Sequence, residues 1–61
     1  MELKQGDVVR LISGGPDMTV VEYPFTDISG NKNDNIVKCQ WFNNDNYLKH
    51  DTFEINTLIK L

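Results

Sequence analysis

The sequence predicts an all-β fold: a small barrel of about five antiparallel strands, with one short 3₁₀ turn near the C-terminus. Three observations carry this reading. Short runs rich in β-branched and aromatic residues are bounded by clusters of Gly, Pro, Asn and Asp. The run IVKCQWF, Ile36 to Phe42, alternates, with Val37, Cys39 and Trp41 on one parity and Lys38 and Gln40 on the other. Successive strand side chains point to opposite faces, so this pattern describes one buried face and one wetter face. Two hairpin signals, Gly14-Gly15 and Asn43-Asn44-Asp45-Asn46, separate the runs.

The first strand is Val8 to Ile12, VVRLI, bounded by Gly6-Asp7 and by Ser13-Gly14-Gly15-Pro16. Its register is open, because Val8 and Ile12 share one parity and Val9 and Leu11 the other. Gly14-Gly15 takes positive φ without steric cost, as a tight turn requires. Pro16 lacks an N–H and suits a turn or a strand entrance. The second strand is Met18 to Tyr23, MTVVEY, closed by Pro24. Pro24 to Asn35 is a longer polar connection, with Phe25 and Ile28 expected to tuck under the sheet and Ser29-Gly30-Asn31 at its tip. Ile36 to Phe42 is the third strand, Tyr47 to Phe53 the fourth and Leu58 to Leu61 the fifth. Ile55, Leu58 and Ile59 have helical spacing, but a helix this short is marginal alone, so a single 3₁₀ turn is expected there. So many short strands leave exposed edges, which a strongly bent, nearly closed sheet resolves. The architecture expected is therefore an SH3-like barrel, with an open five-stranded antiparallel sheet as the alternative. The expected core is Val9, Leu11, Met18, Val20, Val37, Cys39, Trp41, Leu48, Phe53 and Leu58.

The chain has 61 residues, enough for one domain, residues 1–61. A chain this small buries only roughly 60% of the surface that its unfolded form exposes, so a shallow surface site is expected rather than a deep cavity. Net charge is -3, and Lys4, Arg10, Lys32, Lys38, Lys49 and Lys60 are scattered. A surface that tracks phosphates clusters its Lys and Arg, so strong nonspecific nucleic-acid binding is disfavoured. Cys39 is the only cysteine, which excludes an intrachain disulfide scaffold. No stretch reads as a signal peptide or as a membrane span of ~20 residues. The expectation is a cytoplasmic protein with no membrane partner.

GDVVRLISGGPDMTVVEY (Gly6 to Tyr23), VKCQWF (Val37 to Phe42) and DTF (Asp51 to Phe53) with a leucine shortly after resemble the YodC-like family of small bacterial proteins. The shared pieces are the GDVV-x-L start, the SGGP-x-MTV hairpin and the C-x-W-F strand, which together span nearly the whole chain except Pro24 to Asn35. The resemblance implies a small SH3-like β-barrel and no established activity. The polar loop from Pro24 to Asn35 departs from the family pattern by its length.

Candidate chemistry is sparse. A phosphate-cradling loop needs G-x-x-x-x-G-K-[ST] before a helix, whereas Pro16-Asp17 and a β-branched run follow Gly14-Gly15. Asp27 to Asn33 alternates oxygen-bearing residues as a calcium loop begins, but Lys32 and Lys38 stand where Gly and Glu are needed. Cys39 and the single His50 lack zinc-ligand spacing, and a buried thiol is inert. His50 and Asp51 fall on opposite strand faces. No catalytic residue, metal or cofactor is expected, and the chain reads as a non-enzymatic module. Aromatics are the remaining lead: Tyr23, Phe42 and Tyr47 are the candidate patch for contacting a protein or peptide. The counter-reading packs them as a satellite cluster under the long loop. The alternative function is a weak nucleic-acid-associated domain of KOW or Tudor type, using Arg10, Lys38 and Lys49. A monomer or weak homodimer is expected.

Overall fold

The computed structural model describes residues 3–61. Along them run β1 (Val8–Leu11), β2 (Met18–Glu22), β3 (Phe25–Thr26), β4 (Lys32–Asn33), β5 (Ile36–Phe42), β6 (Leu48–Glu54), a 3₁₀ turn (Ile55–Thr57) and β7 (Leu58–Lys60). Five strands form one antiparallel sheet in the order β6-β5-β2-β1-β7, and β3 with β4 forms a separate two-stranded ladder. The all-β class, the five antiparallel strands and the C-terminal 3₁₀ turn are as the sequence predicts. The sheet does not close: β6 and β7 remain its two edges.

The sheet curls because its central strands are irregular. β1 divides its partners, with Val8 and Val9 opposite Thr19 and Met18 of β2 while Arg10 and Leu11 face only Ile59 and Leu58 of β7. Just before β1, the Gly6 N–H donates to Val20 O at 2.9 Å and the Val20 N–H to Asp7 O at 2.8 Å. Two residues thus oppose one, a glycine bulge, and Gly6 at φ 96 supplies the left-handed residue that it needs. A second register shift falls between Val20 and Glu22 against β5. Bulges bend a strand and increase its twist.

The concave face holds the core. Val9 opposes Met18, Val20 opposes Cys39, Val37 opposes Phe53 and Leu11 opposes Leu58, and directly opposed residues share a face. Leu3, Val9, Met18, Val20, Val37, Cys39 and Leu58 are buried, with Leu11, Tyr23, Trp41, Phe53 and Ile55 packed against them. Each fully buried valine contributes about 1.5–3 kcal/mol of transfer free energy. Trp41 and Phe53 meet at 6.0 Å between ring centroids, tilted by 58°, a spacing and tilt that aromatic pairs favour.

Several expectations change. Leu48 is exposed and not in the core, because Phe53 faces inward opposite Val37 and Leu48 lies five positions away on the other parity, opposite Phe42. Ile28 is fully exposed at the tip of the β3–β4 hairpin, while Phe25 is half-buried. The segment read as an irregular connection contains that hairpin, with Phe25 opposite Asn33 and Thr26 opposite Lys32. The open register of β1 resolves with Val9 buried and Val8 exposed. Gly14 and Gly15 turn the chain at φ 108 and 117.

Candidate functional site

The β5–β6 hairpin is tied off by its own turn. Asn43 Oδ1 accepts the Asp45 N–H at 2.9 Å and the Tyr47 N–H at 3.0 Å. The Asn43 N–H donates to Tyr47 O and the Asn46 N–H to Asn43 O, both at 3.0 Å, with Asn46 in the left-handed region at φ 64. Asn is the residue that combines this φ with side-chain bonding to its own backbone. The turn holds up three large apolar side chains: Phe42, Tyr47 and Leu48 are 65%, 67% and 52% exposed. Phe42 and Leu48 are directly opposed and share the convex face.

Tyr23 is not part of this group. It packs against the core, and its hydroxyl donates to Asp34 O at 2.7 Å. Glu22 opposes Lys38, so Tyr23 lies toward the start of β5, whereas Phe42 ends that strand. Phe42 stands four positions beyond Lys38, about 13 Å along the strand. The structure sets Phe42 and Leu48 on one face, with Tyr47 next along the chain on the other parity, while Tyr23 fastens the β4–β5 corner.

The basic residues are dispersed. Lys38 opposes Thr52 and Lys49 opposes Trp41, so these two lysines project from opposite faces of the sheet. Arg10 stands 3.9 Å from Asp17, with both side chains largely in solvent. An exposed pair like this contributes about 0–1 kcal/mol. Arg10, Lys38 and Lys49 therefore form no continuous stripe.

The other candidates are occupied by structural bonding. Asp27 Oδ1 accepts the Ser29 and Asn31 N–H groups at 2.9 Å each, which closes the β3–β4 turn. Cys39 is fully buried, and burial pushes its thiol up to about 11. His50 opposes Gln40 and Asp51 opposes Cys39, placing this pair on opposite faces. Among the described residues, no three His, Cys, Asp or Glu side chains converge as a metal site would require. None of their helices is long and apolar enough to cross a membrane.

Two features escape the hydrophobic pattern. One is a clamp on Asp7, whose Oδ2 accepts the Lys4 N–H at 3.0 Å and stands 3.3 Å from Lys60 Nζ. Burial alone would raise the Asp7 carboxyl, but the Lys4 N–H, the Lys60 hydrogen bond and the two ammonium charges together hold it below its usual 3.8. A Gly-Asp pair ahead of a strand is the available signal, since it marks a turn and a cap at once. The other is the free edge of β6. Asn43–Tyr47 and Asn35–Ile55 are hydrogen-bonded pairs at the two ends of the ladder. Antiparallel pairs alternate between bonded and non-bonded. Lys49, Asp51 and Phe53 accordingly aim their backbone groups at β5, and Leu48, His50, Thr52 and Glu54 aim theirs outward. Asp51 Oδ1 takes the outward Thr52 N–H at 2.7 Å, standing in for a missing strand.

The family described as Uncharacterized small protein (DUF2158) matches residues 4–58. No curated protein and no solved structure gives a significant match.

Proposed function

The chain belongs to the DUF2158 family of uncharacterized small proteins, and we propose that it is a non-enzymatic binding module whose contact surface is the tip of the β5–β6 hairpin. The exposure of Phe42, Tyr47 and Leu48 at one rigid turn carries this reading. Apolar groups held out in water by a self-bonded turn gain most when a partner covers them. The partner class is a protein or peptide with an apolar face. Within the family we take the chain to be YodC-like and SH3-like, on the GDVV, SGGP and C-x-W-F pieces and on a five-strand order that sets the last strand beside the first. The setting is the cytoplasm, which suits a lone unpaired thiol.

The test uses the isotope-labelled protein and lysate of the native cell. Amide shifts confined to Phe42 through Leu48, and abolished by Phe42→Ser, support the reading. Shifts elsewhere, or shifts indifferent to Phe42→Ser, overturn it. The nucleic-acid alternative gains nothing from the placement of Arg10, Lys38 and Lys49. Fluorescence anisotropy with single-stranded and duplex oligonucleotides at low salt measures it directly.

A further inference from the structure

We propose that two copies of this chain join edge to edge through β6, antiparallel and centred on His50, giving a continuous ten-stranded sheet. The proposal shares Tyr47 and Leu48 with the hairpin tip but not Phe42, which lies on β5 outside this edge, so Phe42→Ser should remove tip binding and leave the dimer.

β6 is seven residues long and forms one margin of the sheet. Its outward backbone groups belong to Leu48, His50, Thr52 and Glu54, and an unpaired row of this kind is a template for another strand. Among these groups the Thr52 N–H has an internal substitute in the carboxylate of Asp51, and the Glu54 carbonyl accepts the Thr57 hydroxyl. The opposite margin, β7, has three residues and offers a much shorter row.

The sequence of β6, Leu48-Lys49-His50-Asp51-Thr52-Phe53-Glu54, selects its partner. A two-fold dimer places the same patch against itself. Of the registers that keep the faces aligned near the middle of the strand, centring on Thr52 sets Asp51 against Phe53 and Lys49 against Ile55 beyond the strand's end, so no Lys49–Asp51 pair forms. Centring on Lys49 sets Lys49 against Lys49, and centring on Asp51 sets Asp51 against Asp51. Like charges directly opposed destabilise a sheet. Centring on His50 sets Lys49 against Asp51 of the second copy, and the symmetry makes that unlike pair twice. The same register places Leu48 opposite Thr52 and Tyr47 opposite Phe53, an aromatic cross-strand pair. It also joins the outward-facing residues as hydrogen-bonded pairs, Leu48 with Thr52 and His50 with its own copy. The Thr52 N–H then bonds to the second strand, and Asp51 is released to meet Lys49. Both Phe42 tips stay uncovered, one toward each end of the extended sheet.

Sedimentation equilibrium from micromolar to millimolar protein is the test, on the wild type, Lys49→Asp, Asp51→Lys and the double variant, each checked for native folding by its amide spectrum. The proposal expects a wild-type dimer, weakening of about tenfold or more in each single variant, and recovery in the double. In a mixture of labelled and unlabelled chains, isotope-filtered contacts should link Leu48 to Thr52 across copies. A wild type that stays monomeric at millimolar concentration overturns the proposal. So does a dimer indifferent to both single reversals, or one that the double variant fails to restore.

Discussion

Replacing Val37 by Ala, beside Leu48→Ala as its partner experiment, reads the β5–β6 register as an energy. Val37 is fully buried opposite Phe53, and Leu48 is 52% exposed opposite Phe42. Removing both γ-methyl groups of Val37 forfeits about 1.6 kcal/mol of transfer free energy, and incomplete collapse of the cavity brings the loss to about 2–3 kcal/mol. A chain of 61 residues has a total stability of about 3–9 kcal/mol, so Val37→Ala removes about a fifth of it at the least. Leu48→Ala takes away a larger side chain yet costs about 0.5 kcal/mol or less, because most of that side chain already meets water. Urea unfolding followed by the fluorescence of Trp41, the only tryptophan, gives both numbers. With a slope of about 1 kcal/mol/M, the midpoint falls by about 2–3 M for Val37→Ala and by about 0.5 M or less for Leu48→Ala. Equal losses would refute the reasoning. They would mean that β6 is slipped by one residue, which exchanges the faces of Leu48 and Phe53.

The Cys39 thiol is raised from its ordinary 9.0 to about 11 by burial. The neutral thiol is thus favoured in the folded chain; that contribution to stability is whole below about pH 9 and lost as pH rises towards 11. At pH 8 a thiol reagent should label Cys39 only at the rate of unfolding, and prompt labelling of native protein contradicts this. Asp7 behaves oppositely: its folded carboxyl lies below 3.8, so its contribution is present above 3.8 and lost as pH falls through the lower folded value. Asp7→Asn should flatten the acid limb of a stability profile, and an unchanged limb counts against the clamp. Gly15 has φ 117 and open space where a Cβ would sit, so Gly15→Ala costs backbone strain alone, about 1–2 kcal/mol, read by thermal melting. A neutral Gly15→Ala would show that the turn relaxes to negative φ.

The legible parts of the fold are those with local causes. β5 alternates without interruption, so Val37, Cys39 and Trp41 declare their face and the structure keeps it. β6 carries Lys49, His50, Asp51 and Thr52 in succession, which leaves no alternation by which to choose between Leu48 and Phe53. Its face is set by pairing with β5, a contact between strands that the run itself does not encode. The β3–β4 ladder is hidden for a related reason. It is held by the Asp27 carboxylate and a few backbone bonds and buries little apolar surface. Parity places Phe42 outward correctly. Separating it from Tyr23 needs the Glu22–Lys38 register, and that register depends on the bulge between Val20 and Glu22. Closure is also non-local: five strands are enough for a barrel, but β1 divides its pairing between β2 and β7, and β6 stays outside.

Amide hydrogen exchange along β6 tests the open edge most directly. At high dilution the account predicts an alternation, with the Lys49, Asp51 and Phe53 amides protected by β5 and the Leu48 and His50 amides exchanging fast. At millimolar concentration the Leu48 and His50 amides should slow as the second copy arrives. Protection that is uniform along β6 at every dilution would mean that the sheet closes within one chain, and would contradict the account.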